Sequence, residues 1–271
     1  MSPFKKVLYY GLLTISALIL FFPIIVASMI SFMDGAEILR GTFIPNSWKL
    51  DNYVQAFMSV PLLRYLWNSF QVSFLVMIGQ LVIASLAAYA FVFIQFKGRN
   101  FLFFLFISTM MIPWEATMIP NYLTIQQLDW IDRLPALTIP FFATAFGTFL
   151  LRQHFKTIPY ELIEAAQMEG LNRFQIYLRV VVPVSRISFV TLGAYAFLTT
   201  WNMYLWPLLV TNDEKAVRTV QIGLKQMQSQ EISTAWGVVM AGAIVVVIPS
   251  LLLLFAGQKQ LQKGLTQGAI K

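Results

Sequence analysis

The 271 residues include no cysteine. Disulfide staples, thiolate metal sites and cysteine nucleophiles are thereby excluded, and the redox compartment of the host is left open. Charge is scarce as well. Asp, Glu, Lys and Arg make up 11% of the chain, against roughly 25% in a soluble domain, too little to cover a water-facing surface. The single histidine, His154, and the scattered carboxylates offer no metal-ligand spacing, so no metal site is expected. No G-x-x-x-x-G-K-[S/T] loop is present to cradle nucleotide phosphates, so any ATP must be handled by another chain. With no triad and no paired carboxylates, no catalytic residues are expected, which argues against an intramembrane enzyme.

What is abundant is apolar: 58% of the residues are hydrophobic. They fall into several runs free of charge, each near the ~20 residues that a helix needs to cross a bilayer. The reading is an all-α polytopic membrane protein with six transmembrane helices at about 7–32, 67–95, 101–122, 134–151, 187–209 and 236–257, forming a single membrane domain over 1–271. The first run serves as the first span, so no cleaved leader is invoked. The third is interrupted by Glu115 and carries Pro113 and Pro120, which should kink it. The outer 33–64 loop contains Tyr53 to Met58, read as a short interfacial helix with Tyr53 and Phe57 toward lipid.

Lys and Arg orient the spans. Lys5, Lys6, Lys97, Arg99, Arg152, Lys156, Arg173, Arg179, Arg186, Lys259, Lys263 and Lys271 lie on the side of the termini, twelve in all, against seven on the other side, so both termini are expected in the cytoplasm. The net charge of +7 sits between apolar runs and makes no basic face, so no nucleic-acid partner is expected.

The 152–186 loop is the informative one. Pro159 suits the first turn of a helix, Tyr160 to Met168 are good helix formers, and Gly170 interrupts them. Asn172 can cap a second helix while Gln175 reaches back, and Pro183 is expected to limit that helix. Leu162, Ala165, Ala166 and Glu169 fall on neighbouring helical positions. By residue chemistry alone this is an inner amphipathic loop bent at Gly170, one that could equally rest on anionic lipid.

Glu164-Ala165-Ala166, then Gly170, then Val182-Pro183, between the fourth and fifth spans, resembles the EAA loop of bacterial ATP-binding-cassette importer permeases. The likeness covers nearly the whole chain and points to the carbohydrate-uptake branch, the smaller maltose-type or glycerol-3-phosphate-type permease. Leu50-Asp51-Asn52-Tyr53, Asn68-Ser69, Phe149-Leu150-Leu151-Arg152-Gln153, Trp201-Asn202 with Tyr204-Leu205-Trp206-Pro207, and the tail Gly264-Leu265-Thr266 with Gly268-Ala269 and Lys271 carry it. Glu169 and Leu171 depart from it, standing where Asp and Ala are usual.

The resemblance implies a type I importer permease fold, MetI-like, in the bacterial inner membrane. It implies that Glu161, Glu164, Ala165, Ala166, Glu169, Gly170 and Pro183 dock an ATPase. It further implies a second homologous permease, two ATPase subunits holding ATP and Mg, and an extracytoplasmic solute-binding protein, with no cofactor on this chain.

Residues for a solute path are less distinct. Counting ~1.5 Å per residue puts Glu115 roughly 21 Å along its span, in the outer leaflet, where it either snorkels or lines the path. Trp201, Tyr204 and Trp206 form either an interfacial aromatic belt or a stacking surface for a sugar, with Asn202 as a polar neighbour. Gly193, Ala194, Gly237 and Gly242 read as tight-packing positions. A stand-alone ion-coupled carrier is the alternative, disfavoured because only one acid lies in a span. An acid in the path disfavours an anionic solute, so a neutral sugar or oligosaccharide is the preferred cargo.

Overall fold

The computed structural model describes residues 3–46, 48–214, 216–229 and 235–267, and among these there are helices and no strands. Lys215, Glu231 and the tail residues Gly268, Ala269 and Lys271 lie outside the described residues. Three helices are long and apolar enough to cross a membrane: Phe4–Ile30, Leu62–Phe93 and Trp236–Gly257. Three further pairs qualify only as bent spans, Arg99–Met111 with Trp114–Gln127 at 97°, Leu134–Phe141 with Ala145–Phe155 at 42°, and Arg173–Val184 with Arg186–Trp201 at 81°. The chain folds as two compact units, Met1–Arg64 with Ile222–Pro249, and Tyr65–Gln221 with Ser250–Lys271.

In the first unit the helix Pro3–Ile30 is apolar all round, and its spanning window is not buried by the chain at all. Such a helix is stable only in hydrocarbon or against another membrane surface. Below it, Asp34 caps the short helix Gly35–Leu39. Its Oδ1 accepts from Glu37 N at 2.9 Å, and Glu37 Oε2 accepts from Asp34 N at 3.2 Å. The other Glu37 oxygen accepts from Asn46 N at 3.0 Å, fastening the loop.

The helix Asp51–Ser59 forms where the sequence places an interfacial helix. Tyr53 does not face lipid: its hydroxyl lies 2.9 Å from Ser31 Oγ and its ring packs on Phe32. A phenol that finds a partner at the frayed end of a span is better placed there than in hydrocarbon. Asn52 Nδ2 does the same for the carbonyls of Ser31 and Met33, at 3.0 and 2.8 Å.

The second unit is organised by Leu62–Phe93. Val72, Val76, Ala84, Ala88 and Tyr89 repeat at helical spacing and are buried. Toward its start, Val72 and Val76 join Ile125, Ala136, Leu137, Trp206 and Val210 in one core. Toward its end, Ala84, Ala88 and Tyr89 join Leu151, Phe155, Ile163, Ile176 and Val181 in another. Three of its buried polar side chains hold backbone of other segments: Asn68 Nδ2 donates to Arg218 O at 2.9 Å, Ser69 Oγ accepts from Val220 N at 2.8 Å, and Gln80 Nε2 donates to Phe141 O at 2.9 Å.

Several spans differ from the continuous helices expected. The 101–122 segment breaks at Ile112–Pro113, as Pro113 suggests, but Pro120 sits unbroken inside Trp114–Gln127. The right-angle turn removes the straight-line basis for placing Glu115 by residue count. The 134–151 segment is interrupted before Ala145 and then runs on to Phe155. Arg152, the charge that seemed to end it, is buried with its guanidinium 3.7 Å from the centre of the Phe103 ring. The 187–209 segment stops at Trp201 and resumes at Leu205. There Asn202 turns its Nδ2 back onto Leu198 O at 2.8 Å, and Pro207 has no N–H to continue the ladder.

Gly237 is a close-approach position within the first unit: a Cβ there would meet Asn52 Nδ2 at 2.5 Å and Met33 O at 2.8 Å. Gly237→Ala is expected to destabilise this unit by ~1–3 kcal/mol through overpacking, seen as a lowered melting midpoint of the detergent-solubilised chain, with Gly11→Ala as the silent control in open space.

Candidate functional site: the bent loop and the cavity at the helix breaks

The loop after Phe155 folds as a helix, Tyr160–Met168, preceded by Pro159 as its cap residue. Its inner side is Ile163 and Ala166, both buried in the core formed with Ile158, Ile176 and Tyr177. Glu161, Glu164, Ala165 and Glu169 are exposed, so of the neighbouring positions read from sequence Ala166 alone turns inward. The reason is the three-residue spacing of Ile163 and Ala166, which puts them on one stripe.

At the helix end, Gly170 takes φ +79°, its N–H donates to Gln167 O at 2.9 Å, and Leu171 N–H donates to Ala166 O at 3.1 Å. These two bonds make a Schellman ending, with Leu171 packed on the same core as Ala166. A Cβ at 170 would meet nothing within 4 Å. The glycine is therefore required for backbone handedness and not for space.

The second helix starts as the sequence indicates. Asn172 Oδ1 accepts from Gln175 N and Gln175 Oε1 accepts from Asn172 N, both at 2.9 Å. Pro183 does not limit it. The chain passes through a π turn at Tyr177–Val181 and stays helical to Val184, bending only at Ser185. The wider turn removes the clash that the proline ring would make with the carbonyl four residues before it. Pro183 is exposed there, away from the Glu-Ala-Ala face in sequence and helix.

Two tyrosine hydroxyls tie this loop to the long helix. Tyr89 OH donates to Arg173 O at 2.9 Å, and Tyr177 OH lies 2.7 Å from Ser85 Oγ, with Ser85 fully buried. Because Ser85 Oγ itself donates to Leu81 O, the Tyr177 hydroxyl is the donor of that pair. Sequence reasoning missed Ser85, Tyr89 and Tyr177. The only signal for them is a polar pair on an otherwise apolar span, which does not name its partner.

The residues read as a solute path divide. Glu115, Tyr204 and Trp206 line one cavity of about 410 Å³, together with Gln80, Trp114 and Thr199. Trp201 and Asn202 do not: Trp201 is buried against Phe197, with near-parallel rings 5.7 Å apart, and Asn202 is occupied with Leu198. Trp206 is 1% exposed, and its indole N–H donates to Ala136 O at 2.9 Å. Trp114 meets it edge-on at 5.6 Å.

Apolar bent helices, an exposed helix-glycine-helix loop and a cavity among the breaks are the parts of a solute permease. Over residues 80–267 the chain matches the family described as binding-protein-dependent transport system inner membrane component, and it belongs to that family. It is similar to sn-glycerol-3-phosphate transport system permease proteins. That of Brucella melitensis is 36% identical, covering 98% of this chain and 97% of its own length. The Agrobacterium fabrum protein is 37% identical with the same coverage, and that of Escherichia coli is 32% identical, covering 97% of this chain and 96% of its own. In fold it is similar to a chain in the crystal structure of a bacterial ABC transporter that imports the acidic polysaccharide alginate, with a TM-score of 0.84, 24% identity, and 94% and 96% of the two chains covered.

Gly170→Ala is expected to cost about 1 kcal/mol and to speed amide exchange at Leu171, whereas Gly170→Asn, which tolerates the left-handed region, should stay close to the native rate. Hydrogen-exchange mass spectrometry of the loop checks both.

Proposed function

We propose that this chain forms half of the transmembrane channel of an ATP-driven importer of sugars or related polyol or glycerol-phosphate solutes in a bacterial cytoplasmic membrane. A second homologous permease supplies the other half. Two ATPase subunits carry the ATP and Mg, and an extracytoplasmic solute-binding protein delivers cargo. The excess of Lys and Arg in the segments on the side of the termini, the loop among them, supports an orientation with the loop on the ATP-containing side.

The observation that carries this reading is the outward face of the bent loop. Glu161, Glu164, Ala165 and Glu169 stand in solvent beside Met168, which is 90% exposed, and Phe174, which is 61% exposed. Large apolar side chains set among carboxylates and held on a rigid bend favour a protein partner over free solvation. In mechanism, closure of the ATPases moves the docked loop as a body. The buried side of the loop then transmits that motion to the Leu62–Phe93 helix through the Tyr89 and Tyr177 hydroxyls and the shared core. Inward-open and outward-open states are the two ends of this rigid-body switch, biased by nucleotide bound on the partners.

Gly170→Pro fixes φ near −65° where +79° is needed and removes the N–H given to Gln167. Together with Glu164→Lys it is expected to abolish ATP-dependent uptake while the chain still inserts. Full uptake with a normally assembled ATPase complex in both variants would defeat the docking assignment. The double variant Tyr89→Phe with Tyr177→Phe is expected to keep the ATPase bound but to reduce uptake per ATP hydrolysed, read by parallel uptake and phosphate-release assays in proteoliposomes.

A further inference from the structure

Three helix interruptions meet at the cavity of about 410 Å³. Trp114 and Glu115 open the helix that follows the 97° break, Phe141 and Thr144 flank the 42° break, and Tyr204 sits in the gap between Trp201 and Leu205. Backbone freed from its ladder inside a membrane protein is tolerated where other protein groups satisfy it or where it borders a water-filled space. Some of the freed groups are satisfied, since Gln80 donates to Phe141 O and Trp206 to Ala136 O. Gln80 is 5% exposed, and its other amide atom, Oε1, is a buried acceptor with no partner beside this cavity. The volume lies within the ~300–1,000 Å³ range of small-molecule sites.

The chemistry of the lining is selective. The hydroxyl residues Tyr195, Thr199 and Tyr204 and the rings of Trp114 and Phe141 supply hydrogen-bonding groups and stacking faces side by side. Among the described residues, Glu115 is the one charged residue that lines the cavity. Glu115 also lies in the first turn of Trp114–Gln127, where its carboxylate offsets the positive end of that helix, the feature that could otherwise have drawn a phosphate.

We propose that this cavity is a solute subsite for an uncharged polyhydroxylated compound, a sugar or polyol, and that Glu115 excludes phosphorylated and other anionic solutes. Solute hydroxyls donate to the Glu115 carboxylate, while the apolar face of the solute rests on Trp114. A phosphate monoester, doubly negative near neutral pH, would meet the Glu115 carboxylate where this chain lines the cavity with no Lys or Arg. This assignment rests on the importer reading, and it separates the chain in specificity from relatives whose printed function is glycerol 3-phosphate transport.

The absence of native cysteine makes the cavity addressable. Thr199→Cys is placed in the assembled importer in nanodiscs, and its labelling by methanethiosulfonate ethylammonium and methanethiosulfonate ethylsulfonate is followed by the mass of this subunit. The cationic reagent is expected to react on the order of fivefold faster than intrinsic reagent rates predict, and Glu115→Gln is expected to remove that bias. An excess of maltose, raffinose or sorbitol should slow labelling, and sn-glycerol 3-phosphate should not.

Absence of labelling, an unbiased or anion-favouring ratio with Glu115 in place, protection by none of the three polyols, or protection by glycerol 3-phosphate each overturns the proposal. These readouts need no transport. Failure here with intact ATP-dependent uptake therefore condemns the subsite alone, and loss of ATP-dependent uptake in the native complex condemns the importer reading.

Discussion

A carbonyl without a donor is the central constraint on this chain. Hydrocarbon offers no water to a backbone group that leaves its helical ladder, and each such group left unsatisfied costs several kcal/mol. The sequence nevertheless places prolines within its apolar segments, and each removes a donor. Pro140 cannot serve the carbonyl of Ala136, and the indole of Trp206 does so. Phe141, at the end of its interrupted helix, is served by Gln80. The aromatic and amide side chains that look decorative along the sequence are thus structural donors, and their positions follow from where the ladder fails.

The same logic separates what could be read in the sequence from what could not. Local signals were legible because their partners are near in sequence. The Asn172–Gln175 box, the turn at Gly170 and the break at Pro113 each depend on groups within a few residues. The apolar character of the spans was legible because it is a sum over many residues. The interruptions near Phe142 and Asn202 were hidden, since an uncharged run reads as continuous whether or not its hydrogen bonds are. Trp206 illustrates the limit: its ring could be assigned to an aromatic belt or a solute, but its donor role depends on Ala136, seventy residues away.

Of the motif residues, the structure separates two tasks that sequence spacing merges. Glu161, Glu164, Ala165 and Glu169 face outward, whereas Ala166, between two of them in the motif, anchors the helix to the core. Small size at 166 serves packing inside the chain. The Schellman ending ties the two tasks together, because the bond that closes the bend, from Leu171 to Ala166, starts on one side of Gly170 and ends in the buried stripe. A force applied to the exposed face therefore reaches the core through backbone hydrogen bonds as well as through side-chain contact.

A β-carbon added at Gly170 would stand in open space within this chain. Its restriction comes from the sign of one torsion angle, which ribosomally made side chains resist because all share one chirality. The hinge of the loop is thus selected by stereochemistry: a β-carbon has room there, and nearly every L side chain is disfavoured by its handedness.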